Sequence, residues 1–226
     1  MSEVVPTPDV NPEDWADPAA TYDHLADAYA ERFLHELDDK PFDRGLLVRF
    51  AHHVGERSSV ERPVCDVGCG PGHIGAFLAE RGVSVIGIDL SEGMVAEARR
   101  LFPSIDFFPG DMRSLARADA SLTAIVCFYA LIHIPRADVP LVIREMRRVL
   151  VEEGSVLLAV HGGAGSLHAT QMVERPANLD ATLFGLDELT GLVEDAGFAI
   201  EEARQREPYE HEHPTPRLYV WARRRA

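Results

Sequence analysis

Gly68, Gly70 and Gly72 fall in the run Val64-Cys65-Asp66-Val67-Gly68-Cys69-Gly70-Pro71-Gly72, which follows an apolar segment and opens an amphipathic one. Glycine at such a turn lets backbone approach a ligand closely, and the free N–H groups of a helix start favour an anion. About twenty residues on, Asp89 ends the next apolar run in Gly87-Ile88-Asp89-Leu90-Ser91, where a carboxylate accepts hydrogen bonds from ribose hydroxyls. Two alternatives stand beside these readings. The glycine turn is also compatible with a plain tight connection, and Asp89, in competition with Ser91, with capping the helix that follows. Asp111, in Pro109-Gly110-Asp111-Met112, ends a third run, so Asp66, Asp89 and Asp111 mark three successive strand ends. That is the sheet edge at which doubly wound folds bind ligands.

The elements that must hold these residues alternate in type. Apolar runs predict strands at about 63–67, 83–89, 105–108, 122–129 and 155–161, with amphipathic helices between them near 74–81, 93–101 and 139–150. This is the pattern of a parallel sheet covered on both faces. After Gly162 and Gly163 a loop-rich stretch leads to a helix at about 186–196, then to strands near 198–206 and 217–222 that pair antiparallel. Two helices precede the first strand. One spans about Tyr22 to Leu37, with Thr21 or Asp23 as its cap, and the other about Asp43 to Val54.

The chain of 226 residues is long enough for one large α/β domain, and 46% hydrophobic content places it among globular proteins. With 22 Lys and Arg against 37 Asp and Glu, a formal charge of −15 disfavours nucleic acid and anionic lipid. Arg223, Arg224 and Arg225 form the one basic cluster and read as a solvated tail. Cys65, Cys69 and Cys127 lack the paired spacing of a zinc site or disulfide framework and read as reduced core thiols. No signal peptide or membrane-length apolar run is present, so the expectation is a cytoplasmic protein with a flexible segment over residues 1–20 and one domain over 21–226. No metal is called for; the His- and acid-rich stretch Glu207–His213 suits a polar loop.

In combination, Asp-Val-Gly-Cys-Gly-Pro-Gly, Gly-Ile-Asp-Leu-Ser with Met94, and Gly-Asp-Met resemble a class I S-adenosylmethionine-dependent methyltransferase, of the small bacterial, secondary-metabolite type, over about residues 22–222. The resemblance implies a Rossmann-like, doubly wound, mostly parallel seven-stranded sheet with an antiparallel last strand and N-terminal lid helices. It implies S-adenosylmethionine as cofactor and S-adenosylhomocysteine as product. Gly68, Cys69 and Gly70 would lie under the methionine part, Asp66 would help hold its ammonium, and Asp89 would take the ribose. Leu90 and Met94 would pack on the adenine, Gly110, Asp111 and Met112 would meet its edge, and Phe128 would meet the methionine moiety by its backbone. Tyr22 and Tyr29 would belong to the lid.

The stretch Phe128-Tyr129-Ala130-Leu131-Ile132-His133-Ile134-Pro135 falls where this family sets residues between cofactor and acceptor. His133 is the first choice for a base or an acceptor-orienting group, the alternative being a histidine that fixes the loop; Tyr129 either lines the pocket or packs. His161 and His168 lie in the stretch that covers the acceptor in such enzymes. Phe128, Tyr129, Phe184 and Tyr209 suggest an apolar or aromatic small molecule, methylated on oxygen, nitrogen or carbon, indole carbon included. A monomer or homodimer without nucleic acid or membrane partner is expected. The competing classes are a non-catalytic cofactor-binding or regulatory protein and, against the missing third glycine of G-x-G-x-x-G, a nicotinamide-dependent oxidoreductase.

Overall fold

The computed structural model describes residues 15–226. Asp17 and Pro18 start the first helix, α1 (Pro18–Phe33): the Asp17 carboxylate accepts from Ala19 N at 3.0 Å, and proline suits the first helical position. The helix therefore begins and ends four residues before the expected Tyr22–Leu37, because the cap and proline precede the apolar periodicity. Neither expected cap is used as one. Thr21 Oγ1 donates to the Asn178 carbonyl, and Asp23 serves another helix. Of the segment expected to be flexible, residues 1–14 lie outside the described residues, while Trp15 Nε1 donates to the His133 carbonyl and Ala16 N to Asp180 Oδ2. After a 3-10 turn at Glu36–Asp39 comes α2 (Pro41–Gly55).

Alternation then follows the apolar runs: β1 (Val64–Val67), α3 (His73–Ala79), β2 (Val85–Asp89), α4 (Glu92–Leu101), β3 (Asp106–Pro109) and β4 (Leu122–Phe128). Next come α5 (Val139–Val149), β5 (Leu150–His161), the hairpin β6 (Ser166–Met172) and β7 (Arg175–Thr182), α6 (Leu186–Asp195), β8 (Phe198–Arg206) and β9 (Arg217–Arg224). Seven strands form one sheet in the order β3-β2-β1-β4-β5-β9-β8, parallel except that β9 runs antiparallel to both neighbours. This is the predicted Rossmann-like, doubly wound sheet with its antiparallel last strand.

Side chains of β4 alternate between two cores, as strand geometry requires. Ile125 and Cys127 join the side covered by Ile143 and Met146 of α5 and Val193 of α6. Ala124 and Val126 join the side covered by Phe50 of α2, Leu78 of α3 and Val95 of α4. The three cysteines are free and buried in these layers.

Two expectations need correction. The loop-rich stretch after Gly163 is the β6–β7 hairpin, closed between Met172 and Arg175 by Val173 and Glu174 at φ +46° and +61°. Positive φ at both residues of a two-residue hairpin loop normally selects Asn-Gly or Asp-Gly, and Val-Glu gives no such signal. Arg223 and Arg224 are not a solvated tail: both lie in β9, where Arg223 pairs with Glu153 and Glu201 and Arg224 donates to the Leu150 carbonyl.

Candidate active site

Gly68, Gly70 and Gly72 all have positive φ, +71°, +52° and +85°, so the turn after β1 is a left-handed excursion that glycine tolerates. At Gly68 space matters as well as φ, since a Cβ there would lie 2.1 Å from the Ala130 Cβ of the loop after β4. The turn is tied to β2: Gly68 N and Cys69 N donate to the Ile88 carbonyl at 2.7 and 3.1 Å, and Gly70 N to Asp89 Oδ2 at 2.8 Å. Glycine backbone and the Asp89 carboxylate thereby meet at the carboxyl edge of the sheet, along a crevice of about 310 Å³ roofed by α1. That is within the size range of small-ligand sites.

Asp89 faces this crevice while its Oδ1 accepts from Ser91 N at 2.9 Å. Burial pushes its carboxyl above the ordinary range. Two backbone donors occupy about half of a carboxylate's acceptor capacity, which leaves room for ribose hydroxyls. Helix capping falls to Ser91, whose Oγ accepts from Met94 N at 3.0 Å and donates to Asp23 Oδ1 at 2.6 Å. Asp23 also accepts from Gly93 N, so α1 is pinned to the start of α4.

Leu90, Met94, Gly110, Asp111, Met112 and Phe128 line the same crevice. Asp111 is already engaged: Arg113 Nε reaches both its oxygens at 2.9 and 3.1 Å and Arg113 N reaches Oδ1 at 2.8 Å. Burial raises its pKa, and the Arg113 contacts outweigh this to hold the carboxyl below its ordinary range. Arg113, Trp15 and Pro18 line the crevice too, and the motifs did not single them out.

Asp66 and Cys69 do not line the crevice. Asp66 is 1% exposed, and its Oδ2 accepts from Gly75 N at 2.9 Å, bracing the first turn of α3. Burial pushes its carboxyl up to about 7. Cys69 is buried, with Sγ 3.0 Å from where a Cβ on Gly87 would stand. The strand's two-residue period explains Asp66: it shares the α3 side with Val64, while Cys65 and Val67 face the other core. Asp66→Asn keeps the acceptor for Gly75 N, and S-adenosylhomocysteine affinity measured by calorimetry is expected to stay within about twofold of wild type. A loss of about tenfold would return Asp66 to the ligand.

Tyr129 lines the crevice with its ring, at φ +56°, but its hydroxyl points elsewhere. It donates to Asp43 Oδ1 at 3.1 Å and lies 3.1 Å from Tyr219 Oη. Asp43, 1% exposed, also accepts from Tyr219 Oη and Arg206 Nη2, at 2.9 and 2.8 Å. Burial, with Asp43 nearby, pushes the Tyr129 hydroxyl well above its ordinary pKa, so it is a donor and not a base. Arg206 extends the network to Glu212, which is also paired with Lys40, and Lys40 continues to Glu36 and His73.

For Glu36 burial raises the pKa but His73 and Lys40 outweigh it, and for Glu212 Arg206 and its neighbours do the same; both carboxyls fall to about 2. A depressed carboxylate stabilises the fold above its unfolded pKa and loses that contribution as pH falls through the folded value. Thermal melts are therefore expected to drop chiefly between pH 4.5 and 2. Glu36→Gln is expected to flatten that drop, and an unchanged slope would contradict the assignment.

Of the other expected pocket residues, His161 and His168 do not line the crevice. His161 Nδ1 is 2.7 Å from Thr215 Oγ1, and burial, reinforced by Arg217, pushes its pKa well below the ordinary range. His168 pairs with Asp180 at 2.8 Å. Phe184 is wholly buried in the core, and Tyr209 Oη accepts from Phe42 N at the start of α2. His133, in contrast, lines the crevice beside Tyr22, with Nε2 2.8 Å from Tyr22 Oη. Tyr22 packs edge-on against Tyr29 at 5.6 Å, so both lid tyrosines reach the site.

This sheet order, glycine turn and strand-end carboxylate resemble those of class I S-adenosylmethionine-dependent methyltransferases. Residues 64–154 match the family described as a methyltransferase domain. The chain is 35% identical over 121 residues to a demethylmenaquinone methyltransferase of Beutenbergia cavernae, covering 54% of this chain and 47% of that protein. It is 33% identical over 199 residues to methyltransferase GfsG of Streptomyces halstedii, covering 83% and 65%. The chain thus spans about half to two thirds of the length of these relatives. The fold is shared with magnesium protoporphyrin IX methyltransferase from Synechocystis with bound S-adenosylmethionine, at TM-score 0.66 and 17% identity over 95% of this chain and all of that one. Among the described residues no helix is long and apolar enough to cross a membrane.

Proposed function

We propose that the chain is an S-adenosylmethionine-dependent methyltransferase acting on a small-molecule acceptor, with secondary metabolites as the substrate class. The carrying observation is the Asp89 carboxylate, held by Gly70 N and Ser91 N yet facing the crevice with acceptor capacity to spare. The crevice fits the cofactor by its volume, by the glycine backbone at one end and by the apolar walls of Leu90, Met94 and Met112 at the other. Bound there, S-adenosylmethionine supplies an electrophilic methyl group. Gly68 and Gly70 backbone would hold the methionine moiety, Asp89 the ribose, and Asp111 with Met112 the adenine edge.

Positioning and water exclusion would supply much of the rate of an in-line displacement. Tyr22 and Tyr29 of α1 supply the cover. α1 is tied down by Asp23 to α4, by Thr21 to Asn178, and by Asp27 to Arg175 of the hairpin. The net charge of −15 and the names of the relatives support a small acceptor over nucleic acid. The proposed test is calorimetry against S-adenosylhomocysteine and NAD, followed by release of S-adenosylhomocysteine on incubation with a metabolite extract. Binding of the first ligand alone, with turnover, is the expected result. Binding without turnover in any extract would favour a regulatory binding protein, and binding of NAD would overturn the proposal.

A further inference from the structure

His133 sits in the 3-10 turn after β4, between two elements distant in sequence. Its Nδ1 lies 2.9 Å from the backbone carbonyl of Asp180 on β7, and its Nε2 lies 2.8 Å from Tyr22 Oη on α1. A carbonyl only accepts, so Nδ1 carries the ring proton. Nε2 of the neutral ring is then an acceptor, and the Tyr22 hydroxyl donates to it. That hydroxyl oxygen keeps its own lone pairs, on a residue that lines the crevice.

We propose that Tyr22 and His133 act together as the proton acceptor of the reaction, taking a proton that the substrate sheds from an O–H or N–H group as it is methylated. This rests on the methyltransferase reading above and assigns Tyr22 a catalytic part beyond its place in the lid. The acceptor's O–H or N–H bond breaks as its proton binds Tyr22 Oη, and the Tyr22 O–H bond breaks as its proton binds His133 Nε2. Tyr22 ends as it began, and the imidazole becomes an imidazolium with both nitrogens protonated. No other reactant is required. An acceptor with no proton to lose has no use for this pair.

The surroundings suit each role. Burial, with Asp89 behind it, pushes the Tyr22 hydroxyl well above its ordinary pKa, so Tyr22 cannot hold the proton's loss alone and needs His133. Burial keeps His133 below its ordinary value, so Nε2 is free of a proton before reaction, while the Asp180 carbonyl and charge pull the other way. The titratable groups around the pair are Tyr29 from α1, Asp180 and its partner His168 from the hairpin, His161 from β5 and Asp89 from β2.

The test uses protein labelled with nitrogen-15 at histidine, titrated by NMR with S-adenosylhomocysteine and with sinefungin, whose amine places a positive charge near the methyl position. His133 is expected to carry its neutral-state proton on Nδ1 in both complexes. It is expected to titrate about one unit or more higher with S-adenosylhomocysteine than with sinefungin. In Tyr22→Phe, exchange of the imidazolium Nε2 proton with solvent is expected to slow about tenfold, because its route runs through the missing hydroxyl. An Nε2–H tautomer, equal titration in the two complexes, or exchange in Tyr22→Phe as fast as in the parent overturns the proposal. Calorimetry on the same samples separates the two levels: failure of both analogues to bind overturns the methyltransferase reading itself, and this inference with it.

Discussion

Asp89→Ala should weaken S-adenosylhomocysteine binding by more than about a hundredfold while leaving the protein folded. A carboxylate accepting two ribose hydroxyls makes charge-assisted bonds of about 1.5–3 kcal/mol each, and about 1.4 kcal/mol corresponds to a tenfold change in affinity. The same substitution removes the partners of Gly70 N and Ser91 N, which hold the glycine turn and the start of α4 against β2. Asp89→Asn separates the contributions: it keeps one acceptor oxygen and loses the charge, so an intermediate affinity is expected. Since burial raises the Asp89 pKa, binding by the wild-type protein should begin to weaken at a pH above the ordinary carboxylate range as pH falls. Wild-type affinity in Asp89→Ala would remove this residue from the ligand.

The second large effect is on stability. Asp43→Ala is expected to cost about 3–5 kcal/mol, because removing one member of a buried ion pair strands its partner. Here the stranded groups are Arg206, whose side chain is 11% exposed, and the hydroxyls of Tyr219 and Tyr129. For a domain of this size the loss corresponds to a fall in Tm of about 6–20 °C, read by calorimetry or circular dichroism. Arg206 retains Glu212, which sets the lower end of that range. Tyr129 also loses the anchor that holds its ring on the crevice wall, so cofactor affinity should fall together with stability. A Tm within a degree or two of the parent would show that the network is not holding α2 to β8 and β9.

These two residues differ in how far the sequence announces them. Asp89 ends an apolar run at a fixed distance from a glycine turn, and both signals are local, so its place on the crevice follows from spacing. The same holds for the strand and helix alternation and for the final antiparallel pair, whose elements match within a few residues. Asp43 gives no such signal: it becomes a buried acceptor only because Arg206 and Tyr219 arrive from 163 and 176 residues away. His133 was legible as a residue of the site, but its partners were not, since Tyr22 and Asp180 lie 111 and 47 residues from it. Asp66 is a strand-end acid like Asp89, but the pleat turns its side chain toward α3, where it accepts from Gly75 N. Phe184 and Tyr209 misled for a related reason: nearness to a strand end does not fix direction, and both are spent on core packing and on the start of α2. The hairpin was missed because its turn residues, Val173 and Glu174, are ones that seldom adopt positive φ.

Elements outside the sheet cover the crevice. α1 meets α4 through Asp23, the hairpin through Thr21 and Asp27, and the β4 loop through Tyr22. Opening requires release of these polar contacts and exposure of the buried Leu25, Ala26 and Ala30 of α1.

The most direct measurement is a crystal structure of the protein grown with S-adenosylhomocysteine. The ribose hydroxyls should lie within hydrogen-bond distance of the Asp89 carboxylate, the adenine between Leu90 and Met112, and the sulfur should face Tyr22 and His133. A ligand bound away from Asp89, or density for a dinucleotide across the glycine turn, would contradict the account.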